Sequence, residues 1–500
     1  MSIAGLLRHA AHRWGPRVAL RDAAGDRVLS FVELERACSG VGAVVGSMGA
    51  AVGDRIALIG DSRFDYLLAD YGVMASGRVR VPLDPALSAS ELAAQIDDAQ
   101  ASLILCSESR QATGQSVAAI AGVRCVSLEQ VVERAREQSA PGACEPIRFD
   151  QLASLNYTGG TSNEPKAVML THGALRAAVQ NIVGARGAGP GDVMLNVRPL
   201  WPIAAIVVLA HLCAGGTVVA AESFSPDRFI AQLRSSGAAY TSLVPTHLVR
   251  LLRDLDRSAL QSLDSLRSID VGAAAIPPET FAELVDAIGP RVGVLYGLTE
   301  APWSCYQPPG DLLSPSGIDS LRMRSAGRPV FGCDLAIRAD DRWVDPGEEG
   351  EILLRGAHLM SGYWKKPDLT ATTLRDGWLH TGDMGRVDEQ GRLSVTGRIK
   401  SVIRSGGKSV VPAEVEQALR SHPDVADAAV LGLPDREWGE VVAAAVVLRD
   451  GGSLDQSALL EHCAQLLSPA KRPRVIRAID SLPRSHYGKV QSAKLRELFR

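Results

Sequence analysis

Residues 155–172 crowd hydroxyls, glycines and one lysine into a short stretch. Tyr157, Thr158, Gly159, Gly160, Thr161, Ser162 and Lys166 come first, and the apolar run Ala167-Val168-Met169-Leu170 follows. Glycines let backbone N–H groups approach an anion, and Thr and Ser hydroxyls donate further hydrogen bonds. Lys166 adds a positive charge suited to a polyphosphate. The stretch is not a Walker loop, because it lacks the G-x-x-x-x-G-K-[ST] spacing that leads straight into a helix. Alone, it would read more readily as an ordinary polar turn. Four more clusters follow it: Tyr296-Gly297-Leu298-Thr299-Glu300, His380-Thr381-Gly382-Asp383, Gly397-Arg398-Ile399-Lys400, and Leu482-Pro483-Arg484 closing on Gly488-Lys489.

In that order, the five motifs resemble the core motifs of the adenylate-forming superfamily, and the resemblance covers nearly the whole chain. The superfamily includes acyl- and aryl-CoA synthetases, the adenylation domains of nonribosomal peptide synthetases, and beetle luciferases. It implies attack of a carboxylate on the α-phosphorus of ATP, giving an acyl-AMP and pyrophosphate. Both reactants are anions, so such a site must supply positive charge and hold the groups in line.

The resemblance assigns roles by position. Thr158, Gly159, Gly160, Thr161, Ser162 and Lys166 would hold the β- and γ-phosphates. Gly159 stands where Ser is common and Asn163 where Gly is common; Asn tolerates left-handed backbone angles, whereas Gly159 removes a hydroxyl. Tyr296 would pack on adenine with Gly297 beside it, and Gly272, Ala273 and Ala274 would flank the nucleotide. Thr299 would meet the α-phosphate, and Glu300 with Thr161 would meet Mg2+. Asp383 would take both ribose hydroxyls, a task for an ionised two-oxygen acceptor, and Arg398 would add a ribose or phosphate contact. Lys489 would bridge the α-phosphate and the substrate carboxylate. Lys400 matches a hinge about which the family turns its C-terminal domain between half-reactions. Ser405, Gly406 and Gly407 match a loop lining the pantetheine tunnel, although Gly406-Gly407 also reads as a hairpin turn.

For the acid, the resemblance points to residues 198–206 and 271–275, an apolar set in which Trp201, Pro202 and Ala205, together with Leu298, are expected to line the acyl pocket. No Asp stands where amino-acid-activating relatives keep one, and the small residues 272–275 leave a flat slot suited to an aryl or other compact hydrophobic acid. Coenzyme A is the expected acceptor. The chain reads Pro199-Leu200-Trp201-Pro202 where many CoA-forming relatives read Pro-Leu-Phe-His, which keeps direct transfer to an amine as the alternative. A non-catalytic nucleotide-binding scaffold would require loss of Lys489, Glu300 or Asp383, and all three are present.

The elements that must position these groups are legible in outline. Apolar runs 55–60, 79–83 and 102–106 read as strands, with helical stretches 64–75 and 88–98 between them, and runs 215–220 and 240–244 continue the pattern. Strand–helix–strand at this spacing predicts parallel sheets covered by helices. Residues 327–395 turn glycine-rich and alternating, which predicts a small strand-rich subdomain. A new α+β pattern begins after Arg398, with a helix over 411–419 and strands over 425–433 and 441–448. The expected class is α/β: a large N-terminal AMP-binding domain, 1–399, and a small mobile C-terminal lid, 400–500. A chain of 500 residues suits more than one domain. A net charge of −3 gives no reason to expect nucleic acid or an anionic membrane as partner. The N-terminus lacks a signal-peptide pattern, the apolar run 203–214 is too short to cross a bilayer and reads as a buried helix, and eight scattered cysteines without a C-x-x-C pair suit a reducing cytoplasm.

Overall fold

The computed structural model describes the chain except for residues 62, 138–145, 159–165, 222, 262, 273, 275, 277, 315–316, 320–321, 407, 450–454, 485–489 and 500. Among the predicted site residues, Gly159, Gly160, Thr161, Ser162, Ala273, Gly407 and Lys489 therefore lie outside the described residues, as does Asn163. Two compact units are present. The first comprises Met1–Gly272, Ile276–Asp334 and Leu354–Leu379, and the second comprises Ala273–Ala275, Leu335–Leu353 and His380–Arg500.

The first unit begins its chemistry in a sheet of strands β1 (Arg55–Ile59), β2 (Val79–Leu83), β3 (Ala101–Cys106), β4 (Cys125–Ser127), β5 (Leu152–Thr158) and β6 (Lys166–Thr171). With the short strand Gly362–Tyr363 at one edge, the order is Gly362–Tyr363, β6, β5, β2, β1, β3, β4. Strands β1 to β4 run parallel, and helices α1 (Arg63–Ala75) and α2 (Ala89–Ala99) supply crossovers. The sequence reading of strands and helices over 55–106 agrees with these elements. Helix α2 starts where it does because Ser88 and Glu91 form a reciprocal capping box. Covered on both faces, β2 is buried at all five positions, Arg80 included.

A second sheet contains β7 (Val193–Asn196), β8 (Thr217–Ala220), β9 (Tyr240–Leu243), β10 (Ser268–Val271), β11 (Val292–Tyr296) and β12 (Cys305–Gln307). These run in the order β12, β11, β10, β9, β7, β8, with β7 to β11 parallel and β12 returning antiparallel. Its covering core includes Phe229, Leu233, Leu248, Phe281 and Leu284, all buried. The apolar run 203–214 forms the buried helix α3 (Ala205–Cys213). Among the described residues, no helix is long and apolar enough to cross a membrane.

In the second unit, β13 (Trp378–Val387, of which 380–387 belong here) pairs antiparallel with β14 (Leu393–Arg398). Beyond them, β15 (Ile403–Ser405), β16 (Lys408–Val410), β17 (Val425–Asp435) and β18 (Gly439–Leu448) form a sheet in the order β16, β15, β18, β17. Helix α4 (Pro412–Arg420) packs on it through Val415, Ala418 and Leu419. Pro412 at its first position pre-sets the backbone angle, and the preceding Val411 makes no side-chain cap. The architecture is mixed α/β with a large N-terminal part and a small C-terminal one, as the sequence predicts.

Candidate active site

Parallel strands end together, so the residues that follow them gather along one edge of the sheet. Here β7, β9, β10 and β11 end at Asn196, Leu243, Val271 and Tyr296. Side chains stitch these ends together. Asn196 Nδ2 donates to the Arg198 carbonyl at 3.2 Å, Arg198 Nη1 donates to Ser242 Oγ at 2.9 Å, and Ser242 Oγ donates to the Asp270 carbonyl at 3.1 Å. The predicted acyl segment 198–206 follows β7, Gly272 follows β10, and Tyr296 closes β11. All of these fall on the edge where α/β sheets bind ligands.

After Tyr296 the chain folds into a tight turn. Leu298 and Ala301 exchange backbone hydrogen bonds, both 3.1 Å, and Ser304 N donates to the Tyr296 carbonyl at 2.9 Å. Thr299 and Glu300 sit at the tip. A Cβ on Gly297 would lie 2.6 Å from the Trp303 backbone nitrogen, so close packing alone requires glycine there. A Cβ on Gly272 would likewise meet Leu295 at 2.5 Å. Leu298, Trp201 and Pro202 are half-buried. Ala205 is almost fully buried, and its carbonyl accepts from Tyr71 at 2.7 Å.

Of the phosphate-loop candidate, Thr158 and Lys166 are described. They are the last paired residues of β5 and β6. Tyr157 points the other way, into the core: its hydroxyl lies 2.7 Å from Asp98 Oδ2 and 2.9 Å from the Gln95 carbonyl. Burial, reinforced by Asp98, pushes its phenol well up, so it stays a neutral donor that anchors the hairpin.

One residue outside the five motifs joins the hairpin to the Thr299-Glu300 turn. Tyr363 pairs with Val168 on β6, and its hydroxyl donates to Glu300 Oε1 at 2.9 Å. The Lys166 ammonium lies 5.9 Å from the centre of the same ring. Met360 N also donates to the Glu300 carbonyl at 2.8 Å, and Ser361 N to the Met169 carbonyl at 3.0 Å. Lys166 at the start of β6 and Glu300 in the turn after β11 thus both contact a single tyrosine. Burial first, and the Glu300 charge second, push the Tyr363 phenol up. Its signal in the sequence is the Ser361-Gly362-Tyr363-Trp364 run within the strand-rich stretch 327–395.

In the second unit, Asp383 and Arg398 face each other across β13 and β14, with Arg398 Nε 2.9 Å from Asp383 Oδ1. The carboxylate is buried and the guanidinium half-exposed. Thr381 Oγ1 accepts from Asp383 N at 3.0 Å and donates to the Ile352 carbonyl at 2.7 Å, while Glu351 binds Gly382 N at 3.0 Å and His380 Nδ1 at 2.8 Å. The two predicted ribose-side residues are therefore brought together by strand register. Lys400 follows them on an exposed turn. Ser405 is buried and pairs with Lys408, and Gly406 adopts φ +57° with the Trp438 ring where a Cβ would stand.

The profile of the AMP-binding enzyme family matches residues 7–364, and that of the AMP-binding enzyme C-terminal domain matches residues 414–489. The chain belongs to the AMP-binding, adenylate-forming family. As a member it is an AMP-forming ligase. A feruloyl-CoA synthase of an Amycolatopsis species is 33% identical over 95% of both chains. Among solved structures, ATP-bound MatB from Rhodopseudomonas palustris superposes with a TM-score of 0.89 at 27% identity, covering 100% of this chain and 99% of that one. The amide bond synthetase McbA from Marinactinospora thermotolerans gives 0.88 at 28% identity over 100% of both.

Proposed function

We propose that this ligase activates a compact hydrophobic carboxylic acid, with aryl acids foremost, as an acyl-AMP with release of pyrophosphate, and then passes the acyl group to the thiol of coenzyme A. What supports the reading is the Lys166–Tyr363–Glu300 cluster, in which one tyrosine contacts both Lys166, at the end of the phosphate-loop motif, and Glu300. A cation and a carboxylate that share one tyrosine suit a magnesium–polyphosphate. Among the described residues, no group of three or more His, Cys, Asp and Glu is arranged to hold a metal. A lone Glu300, completed by substrate phosphates and water, fits Mg2+, which keeps most of its shell as water and phosphate oxygen. When bound, that ion would neutralise phosphate charge.

In this scheme Thr158, Gly159, Gly160, Thr161, Ser162 and Lys166 hold the β- and γ-phosphates. Tyr296, Gly297, Gly272, Ala273 and Ala274 flank the adenine, and Thr299 meets the α-phosphate. Asp383 and Arg398 take the ribose, while Trp201, Pro202, Ala205 and Leu298 shape the acyl pocket. Lys489 supplies the cation for the two converging anions, Lys400 acts as the hinge between functional domains 1–399 and 400–500, and Ser405, Gly406 and Gly407 admit the thiol. A cytoplasmic setting belongs to the same proposal, supported by the free thiols of the described cysteines.

An amine acceptor is the second reading, favoured by Pro202 in place of His and by the full-length likeness to an amide bond synthetase. The test is pyrophosphate release over aryl, cyclic and short aliphatic acids, with coenzyme A or a simple amine as acceptor. We expect an aryl acid to be fastest and thioester to accumulate. In Lys489→Ala, acid-dependent release should fall by at least about a hundredfold while nucleotide still binds. Amide without thioester would replace the first reading by the second, and silence with every acid would refute both.

A further inference from the structure

A buried polar network stands behind the acyl segment, and no motif accounts for it. Arg80, on the fully buried strand β2, is 1% exposed. Its guanidinium reaches three elements at once. Nη1 lies 2.5 Å from Asp70 Oδ1 on α1, Nε donates to Ser154 Oγ on β5 at 3.0 Å, and Nη2 donates to the Pro202 carbonyl at 3.4 Å. Ser154 Oγ donates on to Asn156 Oδ1 at 2.9 Å, and Asn156 Nδ2 donates to the Val168 carbonyl on β6 at 3.5 Å. Next to Asp70, the Tyr71 hydroxyl donates to the Ala205 carbonyl at 2.7 Å.

Strand periodicity gives this arrangement its direction. Ser154, Asn156 and Thr158 share one face of β5, while Leu155 and Tyr157 pack into the opposite core. The face that contacts Arg80 is therefore the one that runs out to the phosphate loop. The other arm of the guanidinium ends on Pro202, inside the acyl segment. A hydrophobic side chain would fill β2 more cheaply, since taking a carboxylate and a guanidinium out of water costs several kcal/mol before their attraction offsets it.

We propose that Arg80, paired with Asp70, is a positioning residue that fixes the acyl-pocket segment 201–205 against the phosphate-loop hairpin. Through it, an ion pair remote from the reacting atoms sets acid specificity. The proposal rests on the acid-activating reading above. Arginine suits the task because its planar fork serves three acceptors from a fixed geometry, which a lysine cannot do.

The test uses the full chain with two variants. Removing one partner alone would strand a buried charge and endanger folding, whereas the double apolar replacement Asp70→Leu/Arg80→Met is close to neutral for stability. Arg80→Lys keeps the ion pair but loses the fork. In both, we expect the KM for the acid to rise by about tenfold or more, the KM for ATP to stay within about threefold, and the ranking of acids by size to flatten. Independently of turnover, the fluorine resonance of Trp201 in fluorotryptophan-labelled protein, assigned with Trp201→Phe, should shift or broaden while that of Trp438 does not. A double variant that melts like the parent, keeps the parental acid KM and leaves the Trp201 resonance unmoved overturns the proposal. Should the parent turn over no acid, the proposed function fails, and the Trp201 resonance still decides the role of Arg80.

Discussion

Replacing Tyr363 by Phe removes one oxygen from the join between the two phosphate-facing motifs. The ring remains, so the contact with Lys166 at 5.9 Å and the pairing with Val168 should survive. What is lost is a 2.9 Å hydrogen bond to the Glu300 carboxylate. A hydrogen bond to a charged group contributes about 1.5–3 kcal/mol, and the lower end applies because Glu300 is half-exposed and water can replace part of the bond. About 1.4 kcal/mol is a factor of ten in an equilibrium constant, so a released Glu300 should weaken magnesium–ATP binding by about tenfold. The assay is acid-dependent pyrophosphate release titrated with Mg2+ at fixed ATP, beside a thermal melt. The midpoint should move by that factor while the melting temperature moves little. An unchanged Mg2+ midpoint in Tyr363→Phe, together with a large change in Glu300→Gln, would refute the claim that Tyr363 orients the carboxylate.

Two further outcomes concern stability. His172, His211 and His358 are essentially unexposed, and burial pushes them down to about 4, about 3 and about 4, with Arg186 adding to the effect at His211. Unfolded histidine titrates near 6.5, so the unfolded chain takes up protons first as pH falls. The stability carried by the neutral rings is present above about pH 6.5 and is lost progressively as pH falls toward the lowered folded values, by at most about 1.4 kcal/mol per pH unit per histidine; a melting temperature flat from pH 7 to 4.5 would contradict this. In the second unit, Gly406→Ala combines a left-handed backbone (φ +57°) with a 2.6 Å clash against Trp438, so it should destabilise by about 2 kcal/mol or more in denaturant unfolding. Adding Trp438→Ala should recover the clash portion, and strictly additive losses would show the ring is not the obstacle.

What the sequence determined on its own is the chemistry and the local elements. The order of hydroxyl, glycine and charged motifs identified the adenylate-forming plan. Apolar runs of strand length, separated by helical periodicity, foretold β1 to β3, α1 and α2 nearly to the residue, because those signals are short-range. Three features waited for the tertiary structure. Tyr363 meets Glu300 only because the strand Gly362–Tyr363 adds to the edge of a sheet begun some three hundred residues earlier. Asp383 and Arg398 meet only because β13 and β14 take one register rather than another. Arg80 has a role only because α1, β5 and the segment at Pro202 close around it. In each case the partner is chosen by strand order and register, which depend on how whole sheets bury their faces and leave no trace in the spacing of neighbouring residues.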